Sequence, residues 1–109
     1  MITLISKKNF KHLVTDNTGL ALVQFKNEWS GSSQILSMIY DDLETSYRHA
    51  VSFFTVDAKK GDDLNAEFGV TELPTILFFK AGEIIDHAKG LIPKKVLISK
   101  IEKALNQYN

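Results

Sequence analysis

The sequence contains no cysteine among its 109 residues. A chain without cysteine cannot form a disulfide, a zinc–thiolate centre or an iron–sulfur cluster, and it has no cysteine nucleophile. It is also poor in proline and glycine, with two and six residues respectively. The absence of thiols excludes the kinds of chemistry that small domains most often base on cysteine.

An excess of either charge is also absent, because thirteen basic residues balance thirteen acidic ones. Nucleic-acid binding usually needs a basic excess or a basic stripe, so we expect no nucleic-acid partner. No apolar run approaches the ~20 residues that span a bilayer, so we expect no membrane association. The short apolar N-terminus is followed, not preceded, by Lys7 and Lys8, unlike a signal peptide. These features predict a cytoplasmic protein.

The three histidines, His12, His49 and His87, are far apart and lack the spacing of metal ligands on one helix face. We therefore predict neither a metal site nor a cofactor.

Nearly continuous apolar runs at 20–25, 51–56 and 75–79 predict strands that are buried on both faces. Apolar residues at helical spacing predict a long helix after residue 33 and a last helix with Leu97, Ile101 and Leu105 on its buried side. Alternating strands and helices favour parallel pairing, and a turn at 80–83 predicts a final antiparallel strand. The pattern indicates one α/β domain over residues 1–109.

Three segments resemble parts of the thioredoxin family. Residues 28–33, Glu-Trp-Ser-Gly-Ser-Ser, follow a buried strand and resemble the active-site turn Trp-Cys-Gly-Pro-Cys. Residues 72–79 resemble the family's cis-proline segment, with Pro74 as that proline, and 89–91 resembles its glycine loop. The resemblance covers the whole chain and implies a thioredoxin fold. This is an α/β fold with a central mixed five-stranded sheet, a short N-terminal strand plus four, and helices on both faces.

The resemblance places Ser30 and Ser33 at the positions of the family's two catalytic cysteines. In the family, a thiolate at a helix N-terminus attacks a disulfide, and a second thiol resolves the mixed disulfide. Serine forms no disulfide and is a poor nucleophile unless activated. We interpret the serine-rich start as a helix N-cap, and we do not expect serine catalysis.

Four further positions depart from the family pattern. Ser32 replaces the proline of the motif, Gln24 the buried acid and Phe53 its companion lysine, and Met38 stands where a proline kinks the long helix. The residues that handle protons are therefore missing along with the thiols, which favours natural loss of the chemistry. The alternative is a parent protein with cysteine at 30, at 33 or at both, in which serine has been substituted.

The resemblance also implies a surface that binds an extended peptide, and its residues are Trp29, Gly31, Ser32, Leu73, Pro74, Gly90 and Leu91. We therefore predict a redox-inactive protein that binds peptide segments of partner proteins there. The alternative function is a thioredoxin-type disulfide reductase or monothiol exchanger with its cysteines changed to serine. A tryptophan near leucines could also bury this surface in a weak homodimer, so the chain is expected to be a monomer or a weak dimer.

Overall fold

The computed structural model describes residues 2–27, 29–58 and 62–108. Its strands are β1 Thr3–Ile5, β2 Leu20–Lys26, β3 Val51–Asp57, β4 Thr75–Lys80 and β5 Glu83–Lys89. Its helices are α1 Lys7–Phe10, which continues as a π-helical turn over Lys11–Thr15, and then α2 Gly31–Tyr47, α3 Asp62–Glu67 and α4 Lys94–Tyr108. No helix in this part of the chain is long and apolar enough to cross a lipid bilayer.

The strands form one mixed sheet of five in the order β1-β3-β2-β4-β5. β1 and β2 each pair with β3 in parallel, whereas β4 is antiparallel to both β2 and β5. The first strands are parallel because helices carry the chain back between them, as the alternating pattern requires. The fold class expected from the sequence is confirmed.

Each face of the sheet has its own apolar core, as strands buried on both sides require. On one face, α2 and α4 pack Leu36, Tyr40 and Ile101 against Phe53 and Phe78. On the other, the neighbouring residues Phe54 and Phe79 pack with Phe10, Val14 and Leu64 of the shorter helices. Consecutive phenylalanines thus point to opposite cores, because side chains alternate along a strand.

Tyr40 ties α2 to the middle of the sheet. Its hydroxyl is 2.9 Å from the carbonyl oxygen of Leu22 on β2 and 2.7 Å from that of Phe54 on β3. The hydroxyl has one proton to donate, so the two carbonyls share it. Burial raises the pKa of Tyr40 well above its ordinary value. The residue therefore holds α2 as a neutral donor against both central strands.

The first helix is not regular along its whole length. From Lys11 it widens into a π-helical turn, in which the Asp16 N–H donates to the Lys11 carbonyl at 2.9 Å. The Phe10 ring lies 5.0 Å from Phe68 and 5.6 Å from Phe79, centroid to centroid. These ring contacts with distant residues anchor the helix to its core.

The β4–β5 hairpin turns through Ala81 and Gly82, which have φ values of 51° and 80°. Positive φ at both central residues is typical of the tight turns that match the twist of a hairpin. A Cβ on Gly82 would lie 2.7 Å from the backbone oxygen of Thr15. Only glycine therefore allows this turn to pack against the end of the π-helical turn.

The C-terminal end of α2 is joined to α4 by a hydrogen bond from the Tyr47 hydroxyl to the Glu102 carboxylate at 2.5 Å. This hydrogen bond, together with partial burial, raises the pKa of Tyr47 to about 12 from 10.0. Below pH 10 the tyrosine is protonated in both states and the bond contributes in full. Between pH 10 and 12 the unfolded chain loses this proton first, so the contribution to stability falls.

We expect Tyr47→Phe to lower the free energy of unfolding by about 1 kcal/mol at neutral pH, because a charge-assisted hydrogen bond is lost. The difference from the unsubstituted protein should shrink towards zero as pH rises from 10 to 12. Urea denaturation of both proteins at a series of pH values measures it. A difference that stays constant across that range would show that the Tyr47 proton is not linked to folding.

Candidate functional site

Three segments of the chain leave the sheet at one edge, and the pairing of the strands brings them side by side. Thr75, at the start of β4, pairs with Phe25 near the end of β2 and with Lys89 at the end of β5. The described residues beyond these points are 27 and 29–30 after β2, 72–74 before β4 and 90–91 after β5. They contain the positions that the sequence analysis assigned to the site, apart from those in the first turn of α2.

The turn from β2 into α2 is held by Asn27. The Asn27 side-chain oxygen accepts a hydrogen bond from the Trp29 N–H at 3.0 Å, and its backbone oxygen accepts one from the Ser30 N–H at 3.1 Å. Asn27 makes these hydrogen bonds, and the Trp29 side chain is 82% exposed and is not packed into the turn. The indole is therefore a surface group and not a packing residue.

Ser30 is the N-cap of α2, as the sequence predicts. Its backbone is extended, with φ −88° and ψ 128°. Its hydroxyl accepts from the Ser33 N–H at 3.4 Å, and its carbonyl accepts from the Gln34 N–H at 3.1 Å. The side chain thus satisfies one of the free N–H groups that every helix start leaves.

Ser33 has a different environment, because it is completely buried. Its hydroxyl accepts a hydrogen bond from the Asn27 N–H at 3.3 Å, which closes the turn against the helix. Within the described ranges, neither Ser30 nor Ser33 has its hydroxyl hydrogen-bonded to a histidine or a carboxylate. Nothing in this arrangement activates either serine as a nucleophile.

Below the turn lies a polar group of three residues, of which the sequence analysis singled out Gln24 and missed Lys26 and Ser37. The Ser37 hydroxyl accepts from the buried Gln24 amide at 3.3 Å and from the Lys26 ammonium at 3.4 Å. An open cleft of about 320 Å³ is lined by Lys26, Ser33, Gln34 and Ser37. Spacing could have indicated this group, since Lys26 follows Gln24 by two on a strand and Ser37 follows Ser33 by four on a helix.

The second half of the site is the loop before β4. The Leu73–Pro74 peptide bond is cis. The Pro74 side chain is buried and that of Leu73 is partly exposed. The Pro74 carbonyl accepts a hydrogen bond from the Gly90 N–H at 2.7 Å, where Gly90 has a φ of 79°. This bond fixes the segment with Leu91, which is 48% exposed, beside the loop.

The residues assigned to peptide binding therefore differ in what they present. Trp29, Gly31, Ser32 and Leu91 are exposed, and Leu73 and Gly90 are partly exposed. Pro74 is buried, so the loop presents its backbone and Leu73 and not the proline ring. Away from this edge, His12, His49 and His87 are all exposed. No group of three potential metal ligands occurs among the residues that the structure describes.

Comparison with known proteins identifies the family of this chain. The family model described as thioredoxin matches residues 1–103. A thioredoxin of Pyropia yezoensis is 28% identical over 105 residues, which cover 96% of this chain and 98% of the relative. A thioredoxin of Synechocystis is 28% identical over 101 residues, covering 93% and 94%. An M-type chloroplastic thioredoxin of Chlamydomonas reinhardtii is 26% identical over 102 residues, covering 94% and 73%. The chain belongs to the thioredoxin family.

Within that family this chain is a member without cysteine. The turn that opens α2 is kept by two serine hydroxyls, one acting as the cap and one buried inside the turn. The chain as it stands therefore has no group that can exchange thiols or disulfides.

The cap assignment makes a stability prediction. Ser30→Ala removes the hydroxyl that accepts from the Ser33 N–H, so we expect the free energy of unfolding to fall by about 1 kcal/mol. Ser32→Ala is the matched control, since Ser32 lies two residues further along and is exposed. It should change the free energy of unfolding by less than about 0.5 kcal/mol. Urea denaturation followed by circular dichroism measures both. Equal effects of the two substitutions would contradict the capping role.

Proposed function

We propose that this protein binds extended peptide segments of partner proteins, without thiol chemistry, at the surface of Trp29, Gly31, Ser32, Leu73, Pro74, Gly90 and Leu91. The proposal rests on the unpaired backbone groups of Leu73. Among the described residues, neither its N–H nor its carbonyl has a hydrogen-bond partner. Leu73 lies just before β4 at the edge where the three segments meet.

Unpaired backbone groups on a loop next to a strand offer a partner the hydrogen bonds of an added strand. Side chains then determine which segment is accepted. Trp29 and Leu91 supply exposed apolar surface beside Leu73, and an exposed tryptophan is the type of residue that dominates binding energy at interfaces. Gly31 and Ser32 leave room at the helix start because neither has a large side chain.

The partner class follows from these groups. An extended protein segment with an apolar side chain at the contact point would pair with Leu73 and cover the indole. The cytoplasmic location expected from the sequence remains a prediction, since one of the relatives compared is a chloroplastic protein.

The test begins with phage-displayed random short peptides that lack cysteine, selected on the immobilised protein. We expect Trp29→Ala and Leu91→Ala each to weaken the selected peptides by about tenfold, the size of a strong interface contact. Leu4→Ala is the matched control, because Leu4 is an apolar residue of β1 that is 67% exposed. Fluorescence polarisation measures each affinity. Binding that is unchanged in both site variants would refute the proposal.

The alternative function is a disulfide reductase or monothiol exchanger whose cysteines at 30, 33 or both were changed to serine. One observation favours it: Ser30 caps a 17-residue helix and is partly exposed, whereas Ser33 is buried. An attacking and a resolving thiol need those two environments, because the helix start stabilises a thiolate.

Ser30→Cys combined with Ser33→Cys separates the two functions. We expect slow reduction of a small disulfide, since Gln24 is a neutral amide that cannot take up a thiol proton. Adding Gln24→Asp to the same protein should raise the rate by on the order of a hundredfold, the usual size of a general-base effect. A high rate without Gln24→Asp would show that the chain needs no buried acid and would favour the reductase.

A further inference from the structure

The large apolar side chains that are exposed in the described part of the chain are unevenly distributed. Trp29 and Leu91 belong to the proposed peptide surface, and Ile35 and Met38 lie on α2, 52% and 70% exposed. The other two, Leu4 and Ile84, lie on the edge strands β1 and β5. Two thirds of these side chains are therefore at the end of the molecule where α2 begins.

Ile35 and Met38 share one side of α2, because residues three apart on a helix are neighbours. Met38 is also followed, at the next turn of the same side, by Asp41 and Asp42. We call the four residues Ile35, Met38, Asp41 and Asp42 the α2 shelf. At a rise of about 1.5 Å per residue, Met38 is about 10 Å along the helix from Gly31. The shelf thus begins at the proposed peptide surface and leads away from it.

An ion pair joins the shelf to the start of α4, which follows Leu91 in the chain. The Lys94 ammonium lies 3.7 Å from the Asp42 carboxylate, so the start of α4 is near the fourth turn of α2. Leu91 precedes Lys94 by three residues, and Met38 precedes Asp42 by one helical turn. The start of α4, three residues after Leu91, therefore lies on the side of α2 that carries Asp42.

The charges at the far end of the shelf are unbalanced. Asp42 has Lys94 as its partner, and both side chains remain well exposed. No lysine or arginine lies within ion-pair distance of the Asp41 carboxylate among residues 2–27, 29–58 and 62–108. The shelf therefore presents two apolar side chains followed by a net negative charge. The chemistry that complements it is an apolar residue followed by a basic one.

We infer that the α2 shelf is a specificity-determining extension of the peptide surface, and that the partner segment carries an apolar residue for Ile35 and Met38 and a Lys or Arg for Asp41 and Asp42. This inference rests on the proposed function. It adds that the partner continues past the Leu73 loop along α2. A segment without the apolar–basic pair should bind at the loop alone and more weakly.

The phage-selected peptides provide the test. The selected sequences should be enriched in an apolar residue close to a Lys or Arg. Ile35→Ser combined with Met38→Ser should weaken those peptides by about tenfold. Asp41→Asn combined with Asp42→Asn should weaken them about threefold and reduce the dependence of affinity on salt, because an exposed charge contact is screened. Ile84→Ser and Glu83→Gln on β5 are the matched controls and should change nothing.

The outcomes distinguish this inference from the proposed function. If Trp29→Ala abolishes binding while the shelf variants bind normally, the shelf inference is wrong and the peptide surface stands. If no peptide is enriched over an uncoated surface, both are wrong. Peptides enriched in Asp or Glu would also overturn the inference.

A second copy of this chain is the rival occupant of the shelf. Sedimentation equilibrium of the unsubstituted protein and of the Ile35→Ser and Met38→Ser double variant tests it. We expect both to be monomers at the concentrations used for peptide binding. If the unsubstituted protein is a dimer and the double variant is a monomer, the shelf is a self-association surface and the inference is overturned.

Discussion

Strand β2 lies between β3 and β4, and its residues from Leu20 to Phe25 are all buried. A strand covered on both faces must end at the edge of the sheet before the chain can turn, so its exit point is fixed by packing. Tyr40 strengthens this constraint, because its hydroxyl contacts carbonyls of both β2 and β3. The start of α2 therefore lies beside the loop before β4, and the candidate site is a consequence of how the centre of the sheet is buried.

The turn that opens α2 is held by serine hydroxyls in a chain that has no thiols. Ser30 caps the helix and Ser33 closes the turn against Asn27, so each hydroxyl supplies part of the local hydrogen bonding that the helix start requires. Gln24 remains buried but is satisfied by Ser37 and carries no charge. A buried acid would have to be desolvated, which costs free energy. The neutral amide avoids this cost, and it supplies no proton transfer.

The sequence predicts much of this structure because local patterns and global packing agree. The apolar runs of β2, β3 and β4 have few alternatives to central strands, and Ser30 is a residue type that favours an N-cap. Other features depend on contacts between distant residues. The π-helical turn adjoins Phe10, whose ring packs against Phe68 and Phe79. The burial of Pro74 depends on the conformation of its loop. The exposure of Met38 depends on which side of α2 faces the core, and the sequence alone does not separate Met38 from the apolar residues beside it that are buried.

Amide hydrogen exchange, measured on the free protein and on the protein saturated with a selected peptide, tests the central claim most directly. The account predicts that the Leu73 amide, which has no partner among the described residues, becomes strongly protected when the peptide binds. Protection should extend to the amides of Gly31 and Ser32. Protection confined to the edge strands β1 or β5, with Leu73 unchanged, would contradict the account and place the binding surface elsewhere.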